Sequence, residues 1–221
     1  FFLHDDARKA AQMQSDVHTV KMILETMQLL CTALHYAKSP IVYPFELYKP
    51  THVNHPSAKW VRHCKENFMW ALEHGHELCL EYTRRYNKKH KCQPMYESLL
   101  KFPVPEFTKL SKKEYNMDKV SFYGIPSSVK FVAIAIADDI LPHCAVYDDE
   151  KNLLAIPTYK TYYMYKTQTL SRTMKWYRKE IIPDTFKNFM PKTSNQNLKR
   201  KLDTSVFESD SEHKHVRLID A

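Results

Sequence analysis

Glycine is almost absent from this sequence: of its 221 residues, only Gly75 and Gly124 are glycine. Loops that cradle phosphate groups need several glycines, because the backbone must approach the ligand closely. Neither a GxGxxG loop nor a Walker loop can be written anywhere in the chain. This argues against a Rossmann-type dinucleotide site and against a P-loop nucleotide triphosphatase. So few glycines also favour helices over turn-rich sheets.

Paired cysteines and long apolar runs are missing as well. The five cysteines are odd in number, widely spaced and without a CxxC pair, which is typical of reduced, intracellular thiols. The longest wholly apolar run, residues 131–137, is too short to span a bilayer, so we expect no membrane partner. No signal peptide is visible, and because the sequence starts without a methionine we expect at least one residue before Phe1. We therefore expect a protein of the cytoplasm or nucleus.

Positive charge is in surplus. The formal net charge is +8 and the isoelectric point is about 9.1, so the chain should attract polyanions. Nucleic acid, most of all double-stranded DNA, is the partner that this surplus favours. Hydrophobic residues make up 43% of the chain, which is enough to fold most of it.

Apolar spacing predicts a mainly α fold: one compact multi-helix domain over residues 1–191, with at most a short strand pair, and a polar, charged tail over 192–221. The segment at 1–3 is either a short strand or an extended lead, and the segment at 129–140 is either a buried strand or a helix. A proline-rich loop is expected over residues 39–56. The predicted helices cover residues 5–13, 15–38, 57–86, 94–101 and 157–181.

The second predicted helix carries the most informative pattern. His18, Lys21, Glu25 and Gln28 follow at i, i+3, i+7 and i+10, so they form one polar stripe on a helix otherwise rich in Val, Met, Ile and Leu. On a largely buried helix such groups must be paired or line a cleft, and burial shifts their pKa values as acid–base catalysis requires. The alternative is an ordinary solvent face in which Lys21 and Glu25 form an i,i+4 ion pair.

Three motifs, in this order along the chain, carry a resemblance. Asp16-x-His18-x(6)-Glu25, the long helix segment Asn67–Tyr86 and the aromatic–basic segment Thr158–Lys166 together resemble the phage-type pyrimidine-dimer DNA glycosylases, the endonuclease V family. They cover a quarter to a third of the chain. The whole chain also resembles uncharacterised proteins of phages and large DNA viruses.

The resemblance implies a chemistry. In that family the enzyme removes a damaged base and then nicks the strand, and its N-terminal amine attacks the sugar carbon to form an imine. The resemblance puts Glu25 in the role of the glutamate that holds the reaction centre and His18 in the role of the histidine that assists at the abasic site. Lys21, one turn from both, is an alternative source of the amine. Neither a cofactor nor a metal ion is expected for this chemistry.

Basic and aromatic residues elsewhere suggest a nucleic-acid surface. Basic side chains neutralise phosphates and aromatic faces stack on bases. For the helix predicted at 157–181, the alternative is that the tyrosines form a stripe in the core and the basic residues form a solvated face. The predicted contacts are Lys49, His52, His55, Arg62, Arg84, Arg85, Lys88, Lys89, Tyr159, Lys160, Tyr162, Tyr163 and Lys166.

Two other functions stay open. One is a nucleic-acid-binding or virion-associated protein without catalysis, in which the polar stripe of the second helix is structural. The other is a metal-dependent hydrolase, because zinc prefers histidine and cysteine ligands and residues 52–92 are rich in both. The spacing there is irregular, and the residues concerned are His52, His55, His63, Cys64, His74, His76, Cys79, His90 and Cys92. The target base and the oligomeric state are not specified by the sequence.

Overall fold

Helices dominate the described part of the chain, which comprises residues 1–37, 41–107, 110–169, 174–176 and 183–187 of a computed structural model. The only sheet in these residues pairs β1 (Val120–Ser121) antiparallel with β2 (Val132–Ala133). The predicted mainly α fold with a short strand pair is confirmed. The predicted tail at 192–221 lies outside the described residues. The helices are α1 (Ala7–Met13), α2 (Asp16–Ala37), α3 (Pro56–Val61), α4 (Lys65–Tyr86), α5 (Gln93–Leu99), α6 (Leu141–Cys144), α7 (Ala155–Thr169) and α8 (Asp184–Lys187).

Helix α4 is the centre of the core and packs against α1, α2, α3 and α5. At Gly75 it comes so close to α5 that a Cβ atom there would overlap the ring of Tyr96. The Tyr96 side chain is fully buried, and its hydroxyl donates a 2.7 Å hydrogen bond to the carbonyl of Ile23 in α2. The missing side chain at Gly75 thus allows one tyrosine to join three helices. No helix in these residues has both the length and the apolar character needed to cross a membrane.

Local capping explains where several helices start and end. The Asp6 carboxylate accepts a 2.8 Å hydrogen bond from the backbone N–H of Lys9, which satisfies a free donor at the start of α1. Pro56 occupies the first turn of α3, where a missing N–H costs nothing. Asn87 ends α4 in the left-handed conformation, with φ of 54°, and its N–H bonds to the carbonyl of Thr83.

The prediction of one continuous helix over 57–86 was wrong. Helix α3 ends at Val61, and α4 begins at Lys65 after an extended Cys64 with φ of −158° and ψ of 165°. The carbonyl of Trp60 accepts a 3.2 Å hydrogen bond from the N–H of His63 and a 2.9 Å hydrogen bond from the buried side chain of Asn67. The break lets Trp60 of α3 and Trp70 of α4 both contact the ring of Phe2.

The first three residues do not form a strand or an extended lead; they are an irregular segment inside the core, in which the Leu3 N–H bonds to the Phe1 carbonyl at 3.1 Å. The ring of Phe2 stacks on Trp70 at 4.5 Å between centroids and meets Trp60 edge-on at 5.0 Å. Leu3 is fully buried. The side chains rather than backbone pairing therefore hold this segment.

Two other boundaries differ from the prediction. Residues 129–140 contain β2 and are otherwise irregular, although Ile134 and Ile136 are buried as expected. Helix α7 extends to Thr169, and residues 174–176 are not helical, so the expected helix over 157–181 is too long. The carbonyl of Lys175 instead accepts a 2.8 Å hydrogen bond from the N–H of Asp16 at the start of α2.

Candidate active site

The polar stripe of α2 runs from the interior to the surface. The His18 side chain is buried, whereas the side chains of Glu25 and Lys21 are 38% and 59% exposed. Lys21 and Glu25 form the predicted i,i+4 ion pair, with 3.2 Å between Nζ and Oε1. The stripe is thus neither fully buried nor a plain solvent face.

His18 sits in an aromatic enclosure formed by distant parts of the chain. Its ring centroid lies 4.5 Å from that of Phe1, and its Nδ1 lies 2.7 Å from the hydroxyl of Tyr163 in α7. Burial lowers the pKa of His18 to about 3, and neighbouring positive charges add to the effect, Lys166 most of all. The imidazole is therefore neutral at physiological pH.

The backbone nitrogen of Phe1 lies in the same cluster as His18 and Tyr163. It is buried, and it lies within electrostatic reach of Glu25 and Lys166. The segment that begins at Phe1 is therefore packed against the α2 stripe.

Lys166, which the sequence assigned to nucleic-acid binding, completes the cluster. Its Nζ lies 4.6 Å from the ring centroid of Tyr162 and 5.5 Å from that of Phe1. Partial burial lowers the pKa of Lys166, and the charge of Lys21 lowers it further. Phe1, at the start of the described chain, and Lys166, in α7, therefore meet near His18, at the buried end of the α2 stripe.

The loop before α3 brings His55 near Glu25. His55 is exposed, and its Nδ1 accepts a 3.2 Å hydrogen bond from the N–H of Ser57, which caps α3. Partial burial lowers the pKa of His55, the charge of His52 acts in the same direction, and Glu25 opposes it. His55 thus lies within electrostatic reach of Glu25, and His52 lies next to it in the loop.

The predicted tyrosines of α7 are mostly core residues. Tyr159 and Tyr163 are buried, and the Tyr159 hydroxyl accepts a 3.0 Å hydrogen bond from the N–H of Ala135. Tyr162 lies beneath the ammonium of Lys166, and Lys160 is half-buried. Because these tyrosine rings are buried, they are not accessible for stacking on a nucleobase. Their burial favours the interpretation of the tyrosines as a core stripe.

Arg62 and Arg85 are engaged within the protein. The guanidinium of Arg62 lies 4.7 Å from the ring centroid of Tyr36 and donates a 2.6 Å hydrogen bond to the carbonyl of Val53. It thereby anchors the loop that carries His52 and His55. The side chain of Arg85 is fully buried.

Arg85 forms a buried ion-pair network between α1, α2 and α4. Its Nε donates to Glu81 at 2.5 Å, its Nη1 to Asp16 at 2.9 Å and its Nη2 to the carbonyl of Gln12 at 3.1 Å. Arg84, about half exposed, donates twice to the same Glu81 carboxylate. The guanidinium of Arg85 is therefore committed to protein acceptors and is not presented to a phosphate.

The remaining predicted phosphate contacts are Lys49, Lys88 and Lys89, and all three lie at the surface. Two surface cavities of about 180 and 360 Å³ lie at other places on the described chain, around Tyr115 and Tyr147. Neither is lined by His18, Lys21 or Glu25. Among the described residues, no three His, Cys, Asp or Glu side chains are grouped closely enough to hold a metal ion, so the cluster of histidines and cysteines at 52–92 does not converge.

Two contacts of the cluster had no signal in the sequence. The hydroxyl of Tyr163 is the partner of His18 across 145 positions of the chain, and the ring of Phe1 covers the same imidazole. Two adjacent phenylalanines at the start of the sequence were the only hint that this segment is buried.

Comparison with known proteins gives no match: no protein-family model, no curated protein and no solved structure matches this chain. The resemblance to the pyrimidine-dimer glycosylases therefore stays a prediction from the three motifs.

Proposed function

We propose that this protein binds double-stranded DNA, removes a damaged or modified base and cleaves the strand at the resulting abasic site. Glu25 stabilises the cationic sugar and moves protons, and the neutral His18 assists at the abasic site. An amine of the same cluster attacks the sugar carbon and forms an imine. No cofactor takes part in this scheme.

The observation that supports this proposal is that Glu25 and Lys21 form an ion pair on the helix face that also carries the buried, neutral His18, while the amine of Lys166, whose pKa is lowered by burial, acts electrostatically on His18. A carboxylate, a neutral base and an amine of lowered pKa are the groups that imine chemistry on a sugar requires. The three motifs of the resemblance favour the same chemistry.

Charge and access also support it. The positive charges of Lys21 and Lys166 lie near the Phe1 nitrogen and His18, and a surplus of positive charge suits a phosphodiester backbone. Glu25 and Lys21 are partly exposed, so a nucleotide turned out of the duplex could approach them from solvent.

The proposal is tested with two duplexes, one carrying a pyrimidine dimer and one carrying an abasic site. Wild-type protein should release the base or nick the strand, and borohydride should trap it covalently on the abasic duplex. Glu25→Gln should lower the single-turnover rate by roughly 10²- to 10⁴-fold while DNA affinity is kept. Glu73→Gln, on the exposed face of α4, is the matched control.

The competing function is nucleic-acid binding without catalysis. In this function the exposed side chains of Lys49, Lys88 and Lys89 bind the phosphate backbone, and no active site is needed. Binding with no base release, no nicking and no covalent trapping by the wild-type protein would favour this function instead.

A further inference from the structure

We propose that Lys166 is a catalytic residue that supplies the amine for imine formation at the abasic sugar. This inference rests on the proposed function and names the nucleophile for it. It does not depend on which residue begins the chain, because the amine belongs to a side chain within α7.

The position of Lys166 is unusual for a lysine. Its ammonium is half-buried against two aromatic rings, with Nζ 4.6 Å from the centroid of Tyr162 and 5.5 Å from that of Phe1. Within the part of the chain that the structure describes, no carboxylate lies within ion-pair distance of it. A lysine that only stabilises the fold would ordinarily extend to water or pair with an acid.

Lys21 is the contrasting case. Its ammonium is more than half exposed and pairs with Glu25 at 3.2 Å. Lysine nucleophiles are activated by an apolar pocket or by a second cation nearby. Lys166 has both features, since the rings desolvate it and Lys21 provides the second positive charge, and both lower its pKa.

Lys166 also lies close to the histidine of the candidate site. The ring of Phe1 contacts both groups, with its centroid 5.5 Å from Lys166 Nζ and 4.5 Å from the ring centroid of His18. Among the neighbouring charges, that of Lys166 has the largest effect on His18. A histidine with a pKa of about 3 is too weak a base to take the proton of the ammonium, so that proton passes to solvent, to which the half-buried amine is partly open.

The proposed step balances as follows. The neutral Lys166 amine attacks C1′ of the ring-opened abasic sugar, and the carbonyl π electrons move to oxygen as the C–N bond forms. The two amine protons leave with that oxygen as water, which gives the imine. Borohydride then delivers hydride to the imine carbon, and a proton from water completes a stable secondary amine.

A phosphate contact is the other role that an unpaired ammonium could have. Arginine keeps the charge and the stacking on Tyr162 but cannot form the imine, whereas methionine keeps the apolar stem and removes the charge. Lys166→Arg therefore separates the two roles, and Lys166→Met measures the contribution of the charge to DNA affinity. Lys101→Arg, at an exposed position after α5, is the matched control.

The experiment is borohydride trapping of the full chain on an abasic-site duplex, followed by proteolysis and mass spectrometry of the adduct. We expect the modified peptide to contain Lys166, and we expect trapping by Lys166→Arg to fall at least 100-fold while Lys101→Arg traps normally. Thermal melting confirms that each variant is folded.

Two results overturn the inference, and they have different meanings. An adduct on the residue 1 amine or on Lys21, or full trapping by folded Lys166→Arg, leaves the proposed function intact and removes Lys166 from the nucleophile's role. A wild-type protein that binds the duplex and is never trapped overturns the proposed function together with the inference.

Discussion

The imidazole of His18 and the hydroxyl of Tyr163 lie 2.7 Å apart and join α2 to α7 inside the candidate site. The contact is buried, so the histidine must stay neutral to remain there. This one pair connects the stability of the fold with the chemistry that we propose, and it leads to a prediction about pH.

Stability should fall as the pH drops below 6.5, and His18 should account for part of the loss. The folded-state pKa of His18 is about 3 because the group is buried, whereas the pKa of a histidine in the unfolded chain is near its ordinary value of 6.5. Between these values the unfolded state binds more protons, so each pH unit lost costs about 1.4 kcal/mol. Between pH 7 and pH 5 the wild type should lose about 2 kcal/mol more than His18→Gln, measured by urea unfolding. Parallel pH dependences for the two proteins would contradict this assignment.

Gly75→Ala should destabilise the protein. The added Cβ would overlap the buried ring of Tyr96, whose hydroxyl is fixed on the carbonyl of Ile23. The ring has no free space to move into, and overpacking of this kind costs about 1–3 kcal/mol. Urea unfolding measures the change, and Glu73→Ala on the exposed face of α4 should stay within about 0.5 kcal/mol of the wild type. A wild-type midpoint for Gly75→Ala would mean that α4 and α5 can separate freely.

Arg85→Met should be strongly destabilising. It leaves the buried Glu81 carboxylate and Asp16 without the guanidinium that holds them. Removing one partner of a buried ion pair costs up to about 3–5 kcal/mol, and here the bonds from Arg84 still compensate part of the Glu81 charge. Arg84→Met removes a half-exposed partner of the same glutamate and should cost less than about 1 kcal/mol. Equal losses for the two variants, in urea unfolding, would contradict the burial of Arg85.

Lys49 and Lys89 should contribute to DNA binding through phosphates alone. Both are exposed basic residues that the sequence assigned to phosphate contacts. Each Lys→Ala change should weaken binding equally across DNA sequences and reduce the slope of log K against log salt by about 1. Titrations between 50 and 200 mM salt, roughly the range over which such contacts respond, measure this slope. Lys101→Ala is the control, and an unchanged slope for Lys49→Ala or Lys89→Ala would place the interface elsewhere.

The stripe on α2 illustrates what can be predicted locally. Backbone hydrogen bonding fixes 3.6 residues per turn, so positions 18, 21 and 25 share a face wherever the helix packs. The ion pair of Lys21 and Glu25 follows from that spacing alone. The burial of His18 does not, because it depends on a tyrosine 145 positions away.

The break between α3 and α4 shows the opposite case. The apolar spacing over 57–86 fits one helix, and no proline or glycine marks residues 62–64. The chain turns there because the Asn67 side chain and the Phe131 carbonyl bond to Trp60 in the folded state. The prediction that Arg85 contacts phosphate failed for a related reason. A run of basic residues predicts an exposed surface, but Arg85 is buried and pairs with the carboxylates of Asp16 and Glu81.

The amino-acid sequence by itself determined the helical class, the face that carries His18 and Glu25, and the positive charge of the whole chain, because these follow from local spacing and composition. Only the tertiary structure decided that Phe1 and Lys166 meet this face, since side-chain packing rather than local spacing brings the start of the chain and α7 together there. Hydrogen-bond periodicity acts over four residues, whereas burial is a property of the whole core.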